Sequence, residues 1–271
     1  MASINTLFGY NMNQTDTFRL IRQAGFKAVI LRWSDLFDNV VCNLQPDQAR
    51  SAGLAVENVH ARFQDDNDLW RNNLDGEAIT RRLLEFIEDC RTYEIPTMVV
   101  HLNDGEAPPP CNKLGLLRVN RIAEQAERLN RNVAFENTRT VDCLASVFEQ
   151  VHSRRIGFCY DSGHAHCRTP DVDLLDPYGS RLMALHLHDN YGKTTTEGRK
   201  DQHRLPFDGT IDWPEIMRKI AQYGYRGPVC LEVKNFFYDE LSIEAFLQIA
   251  FERAQKLESM LKLELRNRNN N

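Results

Sequence analysis

No apolar run in the sequence is long enough to span a membrane. The opening MASINTLFGYNMNQ also lacks the positive segment and long apolar core of a secretion signal. Both absences point to a cytoplasmic protein. The seven cysteines (Cys42, Cys90, Cys111, Cys143, Cys159, Cys167 and Cys230) are odd in number and include no CxxC pair. A disulfide framework is therefore excluded in favour of reduced thiols. There is no run of five basic residues, and the net charge of −5 gives no general attraction to a polyanion. Nucleic acid would need a local basic patch, and the sequence argues against it as a partner. No GxGxxG follows the first apolar run, which argues against a dinucleotide-binding sheet.

What is present is a strict rhythm. The 271 residues, 42% of them hydrophobic, suffice for one sizeable core. Short apolar runs predict strands at 4–10, 28–33, 55–60, 97–101, 132–136, 156–161, 182–188 and 227–233. Amphipathic stretches predict helices at 15–24, 47–52, 76–93, 113–129, 143–152, 172–178, 213–223 and 243–264. Such alternation implies a parallel sheet, and eight repeats favour closure into a single (β/α)8 TIM barrel over residues 1–264. The polar end 265–271, LRNRNNN, is expected as a disordered tail.

A barrel of this kind gathers the carboxyl ends of its strands at one mouth. His60, His101, Glu136, Asp161, His186 and Glu232 fall at those ends on the third to eighth predicted strands. One histidine at a strand end is more often a hydrogen-bonded, half-buried residue than a ligand. Six acid or imidazole groups at successive ends reverse that weighting, because crowded carboxylates without a cation repel one another. The stretch Phe158 to Trp213 concentrates the pattern, with five of the eight histidines and the segments Asp161-Ser-Gly-His164, His186-Leu-His188-Asp189 and Asp201-Gln-His203. Imidazole and carboxylate are the donors from which Zn, Mn, Mg or Co sites are built.

The segments FENT (135–138), YDSGHAH (160–166), HLHDN (186–190), DQHRLPFDGTIDW (201–213) and CLEV (230–233) together resemble the xylose-isomerase-like TIM-barrel superfamily. It contains the sugar phosphate isomerases and epimerases and, more distantly, endonuclease IV. The resemblance implies one divalent cation held by Glu136, Asp161, His186 and Glu232, with His164 near substrate. In the endonuclease branch up to three zincs would be held, with His60 and His101 serving one and His164, Asp201 and His203 another.

The resemblance therefore implies an isomerase or epimerase of a sugar or sugar-like polyol, phosphorylated or not. A metal would acidify a carbon-bound proton and stabilise the enediolate, with Glu136 and Glu232 as the acid/base pair. Phosphodiester hydrolysis of abasic DNA is the alternative, and a silent polyol-binding barrel or scaffold the second. Acidic or neutral loops such as 64–68 and 103–110 favour the sugar reading over a DNA grip. Arg32, Trp33 and His188 are candidate substrate contacts. Trp33, Phe63, Trp70 and Phe207 are candidate apolar walls. Arg32, Lys193, Arg199, Lys200 and Lys234 are candidates to meet a phosphate or carboxylate.

Overall fold

A computed structural model describes residues 1–34, 42–193 and 200–270, with side chains described to residue 268; Arg199 lies outside the described residues. Eight parallel strands form one sheet in the order β7-β6-β5-β4-β3-β2-β1-β8. They are β1 (Ala2–Asn5), β2 (Ala28–Trp33), β3 (Ala55–Ala61), β4 (Thr97–His101), β5 (Asn132–Glu136), β6 (Ile156–Asp161), β7 (Leu182–His186) and β8 (Val229–Leu231). The barrel closes where Leu187 bridges Leu231, through Leu187 N–H to Cys230 O at 2.9 Å and Glu232 N–H to Leu187 O at 3.0 Å. The helices are α1 (Gln14–Ala24), α2 (Gln45–Ser51), α3 (Leu74–Thr92), α4 (Lys113–Leu129), α5 (Asp142–Gln150), α6 (Ser162–Arg168), α7 (Leu175–Tyr178), α8 (Trp213–Gln222) and α9 (Ile243–Asn270). No helix among the described residues is long and apolar enough to cross a membrane.

Local chemistry sets the helix ends. Asn13, Asn73, Asn112 and Asp212 cap α1, α3, α4 and α8, their side chains accepting a backbone N–H of the first turn. Gly25 ends α1 at φ 112°, a left-handed position that favours glycine. Three expectations needed correction. The first strand is Ala2–Asn5 rather than 4–10, because Asn5 already turns the chain by donating to Leu7 O. The sequence reading missed α6, which Asp161 nucleates by accepting the His164 N–H at 2.6 Å. The segment 265–271, expected as a disordered tail, continues α9 to Asn270: it contains no Gly or Pro, and Leu265 packs on the core.

Side-chain alternation sorts the strands into two layers. Met98 and Val100, Val133 and Phe135, Phe158 and Tyr160 join the large core between sheet and helices. Their neighbours Val99, Ala134, Cys159 and Ala184 form a small inner cluster, and the next inward residue on each of these strands is His101, Glu136, Asp161 or His186. Small residues thus floor the mouth directly beneath the polar ones. Two bulges keep this parity. Register shifts between Val29 and Ile30, leaving Glu57 extra on β3, and between Phe158 and Cys159, leaving Met183 extra on β7. Without the first bulge His60 would face the helices.

The extra residue Glu57 has a cost. Both its carboxylate oxygens are buried without a hydrogen-bond partner, and only the rest of the residue is partly exposed. Burial pushes the carboxyl up to about 7, against the lowering influence of Cys230 and Ser3. A raised acid is protonated when folded and ionised when unfolded, so its stabilising contribution is lost as pH rises from the ordinary carboxylate range towards 7. The wild type should lose up to about 3 kcal/mol over that window. Denaturant midpoints of wild type and Glu57→Gln should therefore diverge between pH 5 and pH 8, the variant being favoured at pH 8; parallel pH curves would contradict this.

Candidate metal centre

Glu136, at the end of β5, is the hub. Its Oε2 lies 3.0 Å from His186 Nδ1, 3.2 Å from His60 Nε2 and 3.4 Å from His101 Nε2, and its Oε1 lies 3.2 Å from His164 Nδ1. Three strands and α6 thus present imidazoles to one buried carboxylate. Across His186 stands Glu232, just beyond β8, with Oε2 3.3 Å from the same Nδ1. Donor atoms of Glu136, Asp161, His186 and Glu232 all lie within 4.8 Å of one another. The same holds for His60, His101 and Glu136, and for His164, His188, Asp201 and His203.

Buried partners aim these groups. His60 Nδ1 meets Ala61 O at 2.8 Å, His164 Nδ1 meets Asn137 O at 2.9 Å, and His203 Nδ1 meets Glu232 O at 2.7 Å. With Nδ1–H donating to a carbonyl, each Nε2 lone pair is left for the mouth, the arrangement that metal-binding histidines use. Asn137 braces Asp161 twice, accepting its N–H and donating to its carbonyl, both at 2.8 Å. Gly163 lets His188 close over α6, since a Cβ there would lie 1.8 Å from the imidazole.

The loop after β7 is held by Asp189. It accepts from the N–H groups of Asn190, Phe207 and Ile211 and from Trp213 Nε1, at 2.8–3.2 Å. That clamp folds Asp201 and His203 inward. His203 is a non-glycine residue at φ 50°, a conformation that costs on the order of 1–3 kcal/mol and is found mainly at functional sites. Asn137 and Arg168, whose Nη2 donates to Asp201 Oδ2 at 2.5 Å, were not singled out in the sequence, and Asp189 was read there as part of a metal-suited segment, not as this clamp.

Electrostatics follow from this packing. Burial raises the Glu136 carboxyl, but His186, His101 and His164 outweigh it and hold it well below the usual range. Glu232 is likewise lowered against burial, mainly by His186, and Asp201 by His203 and His164. Burial opposes the charged forms of His164 and His186, yet both are raised well above the ordinary value, His164 by Asp161 and Asp201, His186 by Cys159, Glu136 and Glu232. His60 is lowered by burial despite Glu136. The mouth is thus a region of strong negative potential that only protons or a cation can balance.

The donors fit a divalent cation. Glu136 Oε1, Asp161 Oδ2, Asp201 Oδ1 and both ring nitrogens of His101 and His188 are buried without a hydrogen-bond partner. Such orphaned atoms are costly unless something coordinates them. Nitrogen and oxygen donors together suit Zn, Mn or Co, and a carboxylate-rich set also admits Mg.

All nine residues expected at the mouth are there: Glu136, Asp161, His186, Glu232, His60, His101, His164, Asp201 and His203. Arg32 faces it too, its guanidinium 4.3 Å from the Phe63 ring centre, and Phe63 stacks on His101 as an apolar wall at 4.8 Å. His188 is drawn in beside His203 at 3.9 Å between rings, closer to the acids than its expected role of substrate contact implied. Trp33 corrects the reading. Its alternation with Arg32 turns it to the helices, where Nε1 donates to Asp89 at 2.9 Å. Trp70 is buried against Gly115 of α4, and Phe207 lies under Lys256 of α9, so neither lines the mouth. Lys234 donates to Leu7 O, and His166, two residues on from His164 along α6, points away to Thr210.

Fold and site define the class: a parallel (β/α)8 barrel with a cation-ready cluster of carboxylates and imidazoles at its carboxyl mouth. The family model of the xylose isomerase-like TIM barrel matches residues 18–248, and the chain belongs to that family. The uncharacterized protein y4fM of Sinorhizobium fredii is 40% identical over 118 residues, 43% of this chain and 36% of that protein, so the match spans about a third of the relative's length. The structure of an L-ribulose 3-epimerase superposes with a TM-score of 0.77 at 14% identity, covering 99% of this chain and 97% of that one. The IolI protein with a bound zinc atom superposes at 0.72 and 16% identity, covering 97% and 99%.

Proposed function

We propose that the protein is a divalent-metal-dependent isomerase or epimerase acting on a sugar or sugar-like polyol. The observation that carries this reading is the pair of carboxylates, Glu136 and Glu232, approaching one imidazole nitrogen from β5 and β8 at 3.0 and 3.3 Å. Glu136, Asp161, His186 and Glu232 would hold a divalent cation, which would supply Lewis acidity towards a carbonyl and its neighbouring carbon-bound proton. Glu232, the more accessible carboxylate, removes or returns the proton on one side of the sugar, and Glu136 serves the other. His164 and Arg32 orient oxygens of the polyol, and Phe63 excludes water from one flank. The epimerase among the structural neighbours is consistent with this assignment.

A second reading, zinc-dependent phosphodiester hydrolysis of abasic DNA, is favoured by one observation: three donor clusters abut, and Glu136 belongs to two of them. Clustered cations suit attack on a phosphate. The readings separate in deuterium oxide. The protein supplied with Mn, Mg, Co or Zn is screened by NMR against aldoses and ketoses beside an abasic duplex. Deuterium incorporation at the carbon next to a carbonyl is the expected result; duplex cleavage without incorporation into any sugar would overturn the proposal.

A further inference from the structure

Beside the ligand cluster opens a cavity of about 520 Å³, walled by Arg139, Arg168, Lys193, Lys200, Glu106 and Asp201 among others. Four cations face two carboxylates there, in a chain whose net charge is −5. Their existing pairings are weak. Arg139 meets Glu106 at 2.7 Å with the Glu side chain 82% exposed, and Lys193 meets Asp171 at 3.7 Å with both partners largely in solvent, where ion pairs contribute little. Lys200 has no ion pair to any described residue. Arg168 alone is firmly placed, on Asp201 at 2.5 Å. That same Asp201 oxygen lies 3.3 Å from His164 Nε2, so one side chain is the shared wall of the cavity and the ligand cluster. The volume is that of a small-molecule site, far too small for a duplex.

Resting on the sugar reading above, we infer that this cavity is an anion site, and that the substrate is an acidic sugar derivative whose phosphate or carboxylate sits among Lys200, Arg139 and Arg168 while its polyol end reaches the cluster. Fixing the charged end away from the reacting carbon orients the chain of hydroxyls across Glu136 and Glu232.

The test uses the full-length, metal-loaded protein and the double variant Arg139→Ala/Lys200→Ala, both positions outside the ligand cluster. Inorganic phosphate, titrated by calorimetry, should bind wild type and bind the variant about tenfold or more weakly. Ketoses should exchange with solvent deuterium at lower KM when they carry a terminal phosphate or carboxylate than when neutral. The variant should lose that advantage with metal content unchanged, and the better of the two anions identifies the substrate's charged group. Phosphate binding that is absent, or equal in both proteins, overturns the anion site whether or not any sugar exchanges. Phosphate binding lost in the variant, with no sugar exchanging, upholds the cavity and sinks the sugar reading instead. An abasic duplex that binds with the same dependence on these side chains would overturn the small-molecule assignment.

Discussion

Glu136→Gln should abolish turnover almost completely, with a loss of about 10²–10⁴-fold if general acid–base transfer is what it supplies. The amide keeps the shape and one oxygen donor, so the fold is retained and metal is weakened only in part. What disappears is the charge against which His186, His101 and His164 are arranged at 3.0–3.4 Å. The imidazole of His186, held above its ordinary pKa by Cys159, Glu136 and Glu232 against burial, should then titrate lower in the metal-free variant. NMR titration of the ring protons reads that shift independently of activity. A variant within threefold of wild-type turnover, or an unchanged His186 titration, would contradict the hub role.

Asp189→Ala should be the most destabilising single change at the mouth, by about 3–5 kcal/mol. Asp189 is fully buried and accepts from three backbone N–H groups and Trp213 Nε1. Alanine leaves all four donors in a dry site without a partner. The loop carrying Asp201 and His203 loses its clamp, so the His164, His188, Asp201 and His203 cluster should disassemble while Glu136, Asp161, His186 and Glu232 stay on their strands. Denaturant unfolding measures the first effect, and metal stoichiometry before and after the change the second. A loss below about 1 kcal/mol would show that the loop is held by something else.

The barrel was legible in the sequence because its strands and helices follow the two simple periods, and β2, β4, β5, β6 and α4 fall at the expected bounds. The mouth was legible for the same reason: Glu136, Asp161 and His186 are the last inward residues of their strands. Illegible were features decided by contacts remote in sequence. The bulge at Glu57 sets the parity that brings His60 inward, yet nothing in AVENVHA marks it. Trp33 beside Arg32 could serve either face, and Asp89, 56 residues on, claims it for the helices. The capping role of Asp161, which starts α6, hid within a motif that reads equally as a turn. The basic cavity joins residues from the ends of β5 and α6 to the loop after β7; Lys193 and Lys200 were candidates in the sequence, but Arg139 and Arg168, distant from them along the chain, were not.

The account stands most directly on the place of the cation. Crystals grown with Mn or Zn, with anomalous difference maps collected at the absorption edge of each, should give a peak bonded by Glu136, Asp161, His186 and Glu232 at about 2.0–2.3 Å. A single strong peak there is the predicted result. No peak among those four residues, or a structure in which two of the four side chains turn away from a common centre, would contradict it.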